Sequence, residues 1–282
     1  MEILRNRKTL IDYVERNKEM GKKIGFAPTM GALHEGHLSL YKIARENNDL
    51  VISSIFVNPT QFNNPEDLLK YPRNIEKDIQ LLDSTGNVDA VYIPQVEDIY
   101  PNGAVSKQYD FDGLENEMEG AARPGHFDGV GTVVEELFLQ VKPDNAYFGE
   151  KDFQQLAIIK KMVQKVGLPI NIHGVPIVRN LNGLALSSRN QRLTEERRDE
   201  AVIIHDTLVQ VNSWVKDFSI DEIKEKVEEI FDELPGYKIE YFLIADEKTL
   251  KEVSILEKGK NYRSFIVVEV DNVRLIDNMQ IA

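Results

Sequence analysis

The chain reads as an α/β protein: a doubly wound parallel sheet over residues 1–176, then a smaller α+β domain over 177–282. Three observations give that reading. Short, β-branched apolar runs alternate with helical stretches of about ten residues through the first half. The polar clusters that look chemical stand directly after those runs, where ligands bind open parallel sheets. Beyond Pro176 the alternation stops, and a charged helical region is followed by two strand-like runs.

Taken in order, residues 3–19 put Ile3, Leu10, Ile11 and Val14 on one side, the spacing of an amphipathic helix. Residues 22–27 and 50–57 are buried strands by composition, and 38–47 between them suits a helix packed on a sheet. Strand, helix, strand is a βαβ unit, which implies parallel pairing with a right-handed crossover. Residues 88–93, 146–148 and 170–175 read as further strands, with helices over 74–83, 130–141 and 152–166. In the second half, 194–233 is helical, and 239–245 and 264–270 are strands. Residues 175–190 form the hinge, and the second domain is expected to close over the cleft.

Composition narrows the function. The chain of 282 residues carries 34 basic against 47 acidic side chains, a net charge of −13. A polyanion such as tRNA needs broad basic surface, so nucleic acid is not the expected partner. No apolar run reaches the ~18 residues of a membrane span. The absence of cysteine removes disulfides, thiolate catalysis and cysteine-ligated zinc together. The N-terminus has no apolar signal core, so the expected compartment is the cytoplasm.

Four clusters carry chemistry. The first, residues 26–38, holds Met30, Gly31, His34, Gly36 and His37 between a strand and a crossover helix. A helix N-terminus is a ready anion site, and two imidazoles three residues apart can donate to phosphate oxygens there. On the residues alone, a plain strand–helix turn with incidental histidines explains it too. Zinc does not, because the spacing is not that of a zinc-protease helix and no third ligand follows. The second cluster, residues 58–63, puts Asn58, Gln61 and Asn63 at a strand's carboxyl end, where amides orient a polar substrate without adding charge. A loop that merely ends the strand remains the alternative. The polar residues that follow, up to Arg73, carry two prolines and have the composition of a lid.

The third cluster, residues 148–155, contains Gly149, Glu150, Lys151, Asp152 and Gln155 at the opening of a helix. Lys151 suits a triphosphate, and Gln155 lies one turn beyond it on the same face. A capped helix with a solvated charge run is the competing explanation. The fourth, Leu186, Ser187, Ser188 and Arg189, offers hydroxyls and a guanidinium to phosphate oxygens. Taken bare, it is a polar loop. Arg123 and His126 are noted without a role, and His173 and His205 read as structural histidines in apolar surroundings.

The first cluster resembles the HxGH signature of the Rossmann-like nucleotidyltransferase superfamily, and the fourth resembles the KMSKS loop of class I aminoacyl-tRNA synthetases. The longer strings PTMGALHEGH, SIFVNPTQF, FGEKDFQQL and GVPIVRNLNGLALSSRN are similar to the pantothenate synthetase family in order and spacing. The resemblance runs from about residue 22 to 192 and reaches weakly to residues 274–278. It implies ATP-dependent joining of pantoate to β-alanine through an acyl-adenylate.

In the site it implies, His34, His37, Lys151 and Arg189 are catalytic. ATP meets these four and Met30, Gly31, Gly36, Gly149, Glu150, Asp152, Val178, Leu186, Ser187 and Ser188. Asn58, Gln61 and Gln155 take pantoate and β-alanine, and Mg²⁺ is held by the ATP phosphates with no protein ligand. A homodimer through the N-terminal domain is implied as well. Asn180, Asn182, Arg192 and Glu136 depart from the family pattern. Two rival activities share these motifs: transfer of AMP to a phosphorylated acceptor, and nucleotide sensing without turnover.

Overall fold

β-Branched and aromatic side chains dominate six short runs, and all six pair in parallel as one sheet. They are β1 (Glu2–Leu4), β2 (Ile24–Thr29), β3 (Leu50–Ile55), β4 (Ala90–Tyr92), β5 (Asn145–Gly149) and β6 (Asn171–Val175). The computed structural model describes residues 1–62 and 65–281. The sheet order is β1-β4-β3-β2-β5-β6. From β2 the chain winds outward through β3 to β4, then returns to lay β5 against β2's other edge. The carboxyl ends of β2 and β5 therefore flank the topological switch point, where such sheets bind ligands.

Both faces of this sheet are covered, as a parallel sheet requires. The helix Glu35–Asn47 sends Leu40, Tyr41 and Ala44 against Ala27, Val51 and Tyr147 on one face. On the other, Phe138 of the helix His126–Val141 meets Phe26 and Phe148 edge-on at 6.2 Å each. Burying each aromatic ring of this kind contributes on the order of 2–3 kcal/mol. The expected doubly wound class is the observed one.

Several boundaries differ from expectation. The stretch 3–19 is not one helix: Glu2–Leu4 is an edge strand pairing with β4, and the helix begins at Arg7 behind an Asn6 cap. The helix expected from residue 38 starts at Glu35, and the one expected from 130 starts at His126. Of the region with lid-like composition, Pro65–Lys70 is a short helix, whereas Asn63 and Asn64 lie outside the described residues.

The chain divides into two compact units. One comprises Met1–Glu150 with Gln154–Pro176, and the other comprises Lys151–Phe153 with Ile177–Ala282. In the second, β7 (Tyr237–Asp246), β8 (Tyr262–Val270) and β9 (Val273–Gln280) form an antiparallel sheet in sequence order. Only two of these strands were expected; β9 carries Arg274, Asp277 and Asn278 among its apolar residues and hides its alternation. The helices Ile203–Trp214 and Ile220–Asp232 pack Ile204, Leu208, Val211, Ile223, Val227 and Phe231 on the sheet's Ile244, Ile266 and Val268. No helix among the described residues is long and apolar enough to cross a membrane.

Candidate active site

The turn after β2 is held from below. Gly31 has φ +83°, and a Cβ there would stand 2.9 Å from the Asp78 carboxylate. Ala32 takes φ +51°, a left-handed backbone that costs a non-glycine residue roughly 1–2 kcal/mol. Asp78, buried on the helix Ile75–Thr85, offsets that strain by accepting the N–H groups of Ala32 (2.9 Å) and Leu33 (2.8 Å). Nothing in the sequence marks it, since an Asp in IEKDIQ looks like a solvated charge.

This turn delivers His34 to the N-cap of Glu35–Asn47. The Gly36 N–H donates to His34 Nδ1 at 3.1 Å, and the His34 N–H donates to His37 Nδ1 at 3.3 Å. A ring nitrogen that accepts carries no proton, so in the neutral rings both protons are assigned to Nε2. The rings lie 4.1 Å apart and are half-buried. Two Nε2–H donors and a helix N-terminus are thus set by local bonds, an arrangement suited to phosphate oxygens.

The loop after β3 is tied to the same turn: Gln61 Nε2 donates to Met30 Sδ at 2.9 Å. Asn58 is an internal strut. Its Nδ2 donates to Gln61 Oε1 (3.2 Å) and the Gly129 carbonyl (3.1 Å), which uses both of its hydrogens. Its Oδ1 accepts from the Tyr100 hydroxyl at 2.6 Å and from the Thr60 backbone and side chain. Burial pushes the Tyr100 phenol above its ordinary pKa against the pull of these bonds, so it stays a donor.

Arg123 and His126 find a role in the same loop. His126 Nδ1 donates to the Gln61 carbonyl at 2.8 Å and Arg123 Nη2 donates to it at 3.2 Å. Gly129 allows the helix to come this close, because a Cβ would stand 2.5 Å from the Thr60 carbonyl.

At the end of β5, Gly149 faces open space and Glu150 packs against Gly174, where a Cβ would meet its carboxylate at 3.0 Å. Two adjacent glutamines have opposite fates. Gln154 is buried and spends its amide on the backbone of Leu114, Glu117 and Glu119. Gln155 is half-buried on the next position of the helix.

The remaining candidates belong to the second unit. Lys151 is largely buried and lies 3.8 Å from exposed Asp152. It lines a small cavity with Ala185, Ser187, Asn190, Leu275 and Asp277. Val178 and Leu186 close a short hairpin, with the Leu186 N–H on the Val178 carbonyl at 2.9 Å. Ser187 then caps the turn Ser188–Arg192 by accepting the Arg189 N–H at 3.3 Å, and the Arg189 side chain is exposed. Arg179, which the sequence did not single out, holds this hairpin through Asp277 (2.5 and 2.9 Å) and the Gly183 carbonyl (3.1 Å).

The departures from the family pattern fit their surroundings. Asn180 Oδ1 accepts from the N–H groups of Asn182 and Leu184, a task a carboxylate performs equally well. Asn182 donates to Asp199 at 3.0 Å, where a carboxylate would meet a like charge. Glu136 takes Gln140 and Arg7, and Arg192 reaches the Asn272 carbonyl. Of the two histidines read as structural, His205 is half-buried beside Gly183. His173 is exposed rather than surrounded by apolar groups, with one face stacked on Tyr147. Partial desolvation, then Lys23 and Lys160, lower its pKa.

Known proteins carry the same sequence pattern and the same fold. The family model described as pantoate-beta-alanine ligase matches residues 2–280. The pantothenate synthetase of Christiangramia forsetii is 51% identical over 279 residues, covering 99% of each chain. The crystal structure of pantothenate synthetase from Thermus thermophilus superposes with a TM-score of 0.90 at 40% identity, covering 100% of this chain and 99% of that one. The Francisella tularensis pantoate-beta-alanine ligase complexed with beta-gamma ATP and beta-alanine gives a TM-score of 0.76 at 37% identity, covering 99% and 97%. A model matching nearly end to end and relatives far above 30% identity leave one assignment: the chain belongs to the pantoate-beta-alanine ligase family.

Proposed function

We propose that this chain condenses pantoate with β-alanine in an ATP-dependent reaction, through pantoyl-adenylate, releasing AMP and pyrophosphate. Family membership supports the reaction, and the observation that carries the mechanism is the reciprocal cap of His34 and His37. It presents two Nε2–H donors at a helix N-terminus beside the switch point of the sheet.

The chemistry then follows from charge. An oxygen of the pantoate carboxylate attacks the α-phosphorus, and the bond from that phosphorus to the bridging oxygen breaks. Two anions meet in this step, so fixed donors aimed at the transferring phosphoryl group stabilise the transition state most. His34 and His37 are assigned this task in the first unit, and Lys151, Ser188 and Arg189 in the second. Met30, Gly31, Gly36, Gly149, Glu150, Asp152, Val178, Leu186 and Ser187 shape the nucleotide site.

Gln61 and Gln155 hold pantoate, with Asn58, Arg123 and His126 fixing Gln61 in place. The neutral amine of β-alanine next attacks the acyl carbon, AMP leaves, and the nitrogen gives its extra proton to solvent. Among the described residues no group of three or more His, Asp and Glu gathers as a metal site. The donors assigned here are cations and neutral groups, which fit phosphate oxygens. The family resemblance implies that Mg²⁺ would come with ATP and offset the charge of its phosphates. The enzyme is read as a cytoplasmic homodimer built through the first unit.

Incubation with ATP and pantoate, with and without β-alanine, tests the reaction. AMP and an amide product should form only when all three are present. Accumulation of an adenylated product that β-alanine does not consume would overturn the ligase reading.

A further inference from the structure

We infer that Asn278 on β9 is a positioning residue that fixes the backbone of Lys151, with the buried Arg263 setting the direction of its amide. The inference rests on the proposed role of Lys151 at the ATP phosphates.

The segment Lys151–Phe153 groups with the second unit, although the residues on either side of it group with the first. Three contacts to one face of the small sheet hold it there. The Phe153 ring lies 5.9 Å from Phe265, the Arg263 guanidinium sits 4.1 Å over that ring, and Asn278 Nδ2 donates to the Lys151 carbonyl at 2.9 Å. Phe265 and Asn278 are directly paired across β8 and β9, and Arg263 lies two residues along the same face. A single patch of sheet thus grips the segment.

Within this patch the amide has one usable orientation. Arg263 is buried and donates Nη1 to Asn278 Oδ1 at 2.6 Å, while its Nε is paired with Glu247 at 2.8 Å. A guanidinium cannot accept, so Oδ1 must face it and Nδ2 must face Lys151. Only a side chain with an acceptor and a donor on one planar group meets both demands. The preceding residue works from the opposite face: Asp277 pairs with Arg179 and fixes the hairpin that leads to Ser187–Arg189. Neighbouring positions of one strand therefore set both segments of this unit that are assigned to phosphate. A shift of about 1 Å in such a group can cost on the order of a hundredfold in rate.

Asn278→Asp separates positioning from stability. It keeps the acceptor for Arg263 and the shape, and it removes the donor to Lys151. The measurement is pantoate-dependent exchange of labelled pyrophosphate into ATP, with thermal melting and pantoate KM on the same protein. The expected result is a folded variant whose exchange kcat falls by about ten- to a hundredfold while pantoate KM stays within about twofold.

A folded variant with wild-type kcat would overturn the inference, as would a fall explained wholly by lost folded protein. If Asn278→Asp fails to fold, Asn278→Ala is read in the same way, and failure of both places the residue in the fold alone. Lys151→Ala run in parallel tests the reading underneath. Normal exchange by that variant refutes the role of Lys151, whereas an inactive Lys151→Ala beside a normal Asn278→Asp refutes only the role of Asn278.

Discussion

Two buried aspartates, one in each unit, hold chemically important loops by different means. Asp78 turns its carboxylate on the backbone and takes two consecutive N–H groups of the strained turn before His34. Asp277 turns its carboxylate on a side chain, the guanidinium of Arg179, and through it on the hairpin before Ser187. Bonds to backbone amides fix dihedral angles directly, so Asp78 dictates where the histidine cap begins. An ion pair fixes a distance between two side chains and leaves more freedom beyond it, in keeping with an exposed Arg189. The first arrangement controls geometry and the second controls attachment.

The contrast breaks most readily at Asp277. Replacing it with Asn leaves a largely buried Arg179 without its counter-charge, which should cost about 3 kcal/mol of stability or more. Chemical denaturation should show this loss, and the folded fraction should keep measurable exchange. A change under about 1 kcal/mol would mean that solvent screens the pair as it does at a surface.

Asp78→Asn should cost less stability, about 1–3 kcal/mol, because one backbone N–H loses its acceptor and the amide cannot serve both. Its effect on exchange should nevertheless exceed that of Asp277→Asn when both are compared per folded molecule. Equal losses would show that the two aspartates do the same work.

How far the sequence discloses these features depends on where the signal lies. The β2–helix–β3 unit is legible because its strands are β-branched runs and its helix has apolar spacing. The start of that helix is not, because the usual cap signal is Ser, Thr, Asp or Asn, and here an imidazole does the work. Three-residue β1 has no periodicity to detect, and β9 hides its alternation behind a buried Asp-Asn pair. Nothing in the sequence marks Asp78 or Arg263 as buried, since burial is a property of what packs over them. The clusters around His34, Gln61, Lys151 and Ser188 could be picked out because chemistry concentrates unusual residue types there. Asn58 and His126 stand out in the sequence as residue types, but their part in holding Gln61, like the parts of Arg179 and Asn278, shows only in their bonds.

The proposed mechanism needs both His37 and Lys151 as donors in adenylate formation, and a double-mutant cycle on pyrophosphate exchange tests that most directly. His37→Ala and Lys151→Ala should each lower pantoate-dependent exchange by about 2.7–4 kcal/mol in the barrier, the worth of one such donor. The double variant should lose clearly less than the sum, because the two groups serve the same transferring phosphate. Strictly additive losses, or near-normal exchange by either single variant, would contradict the account.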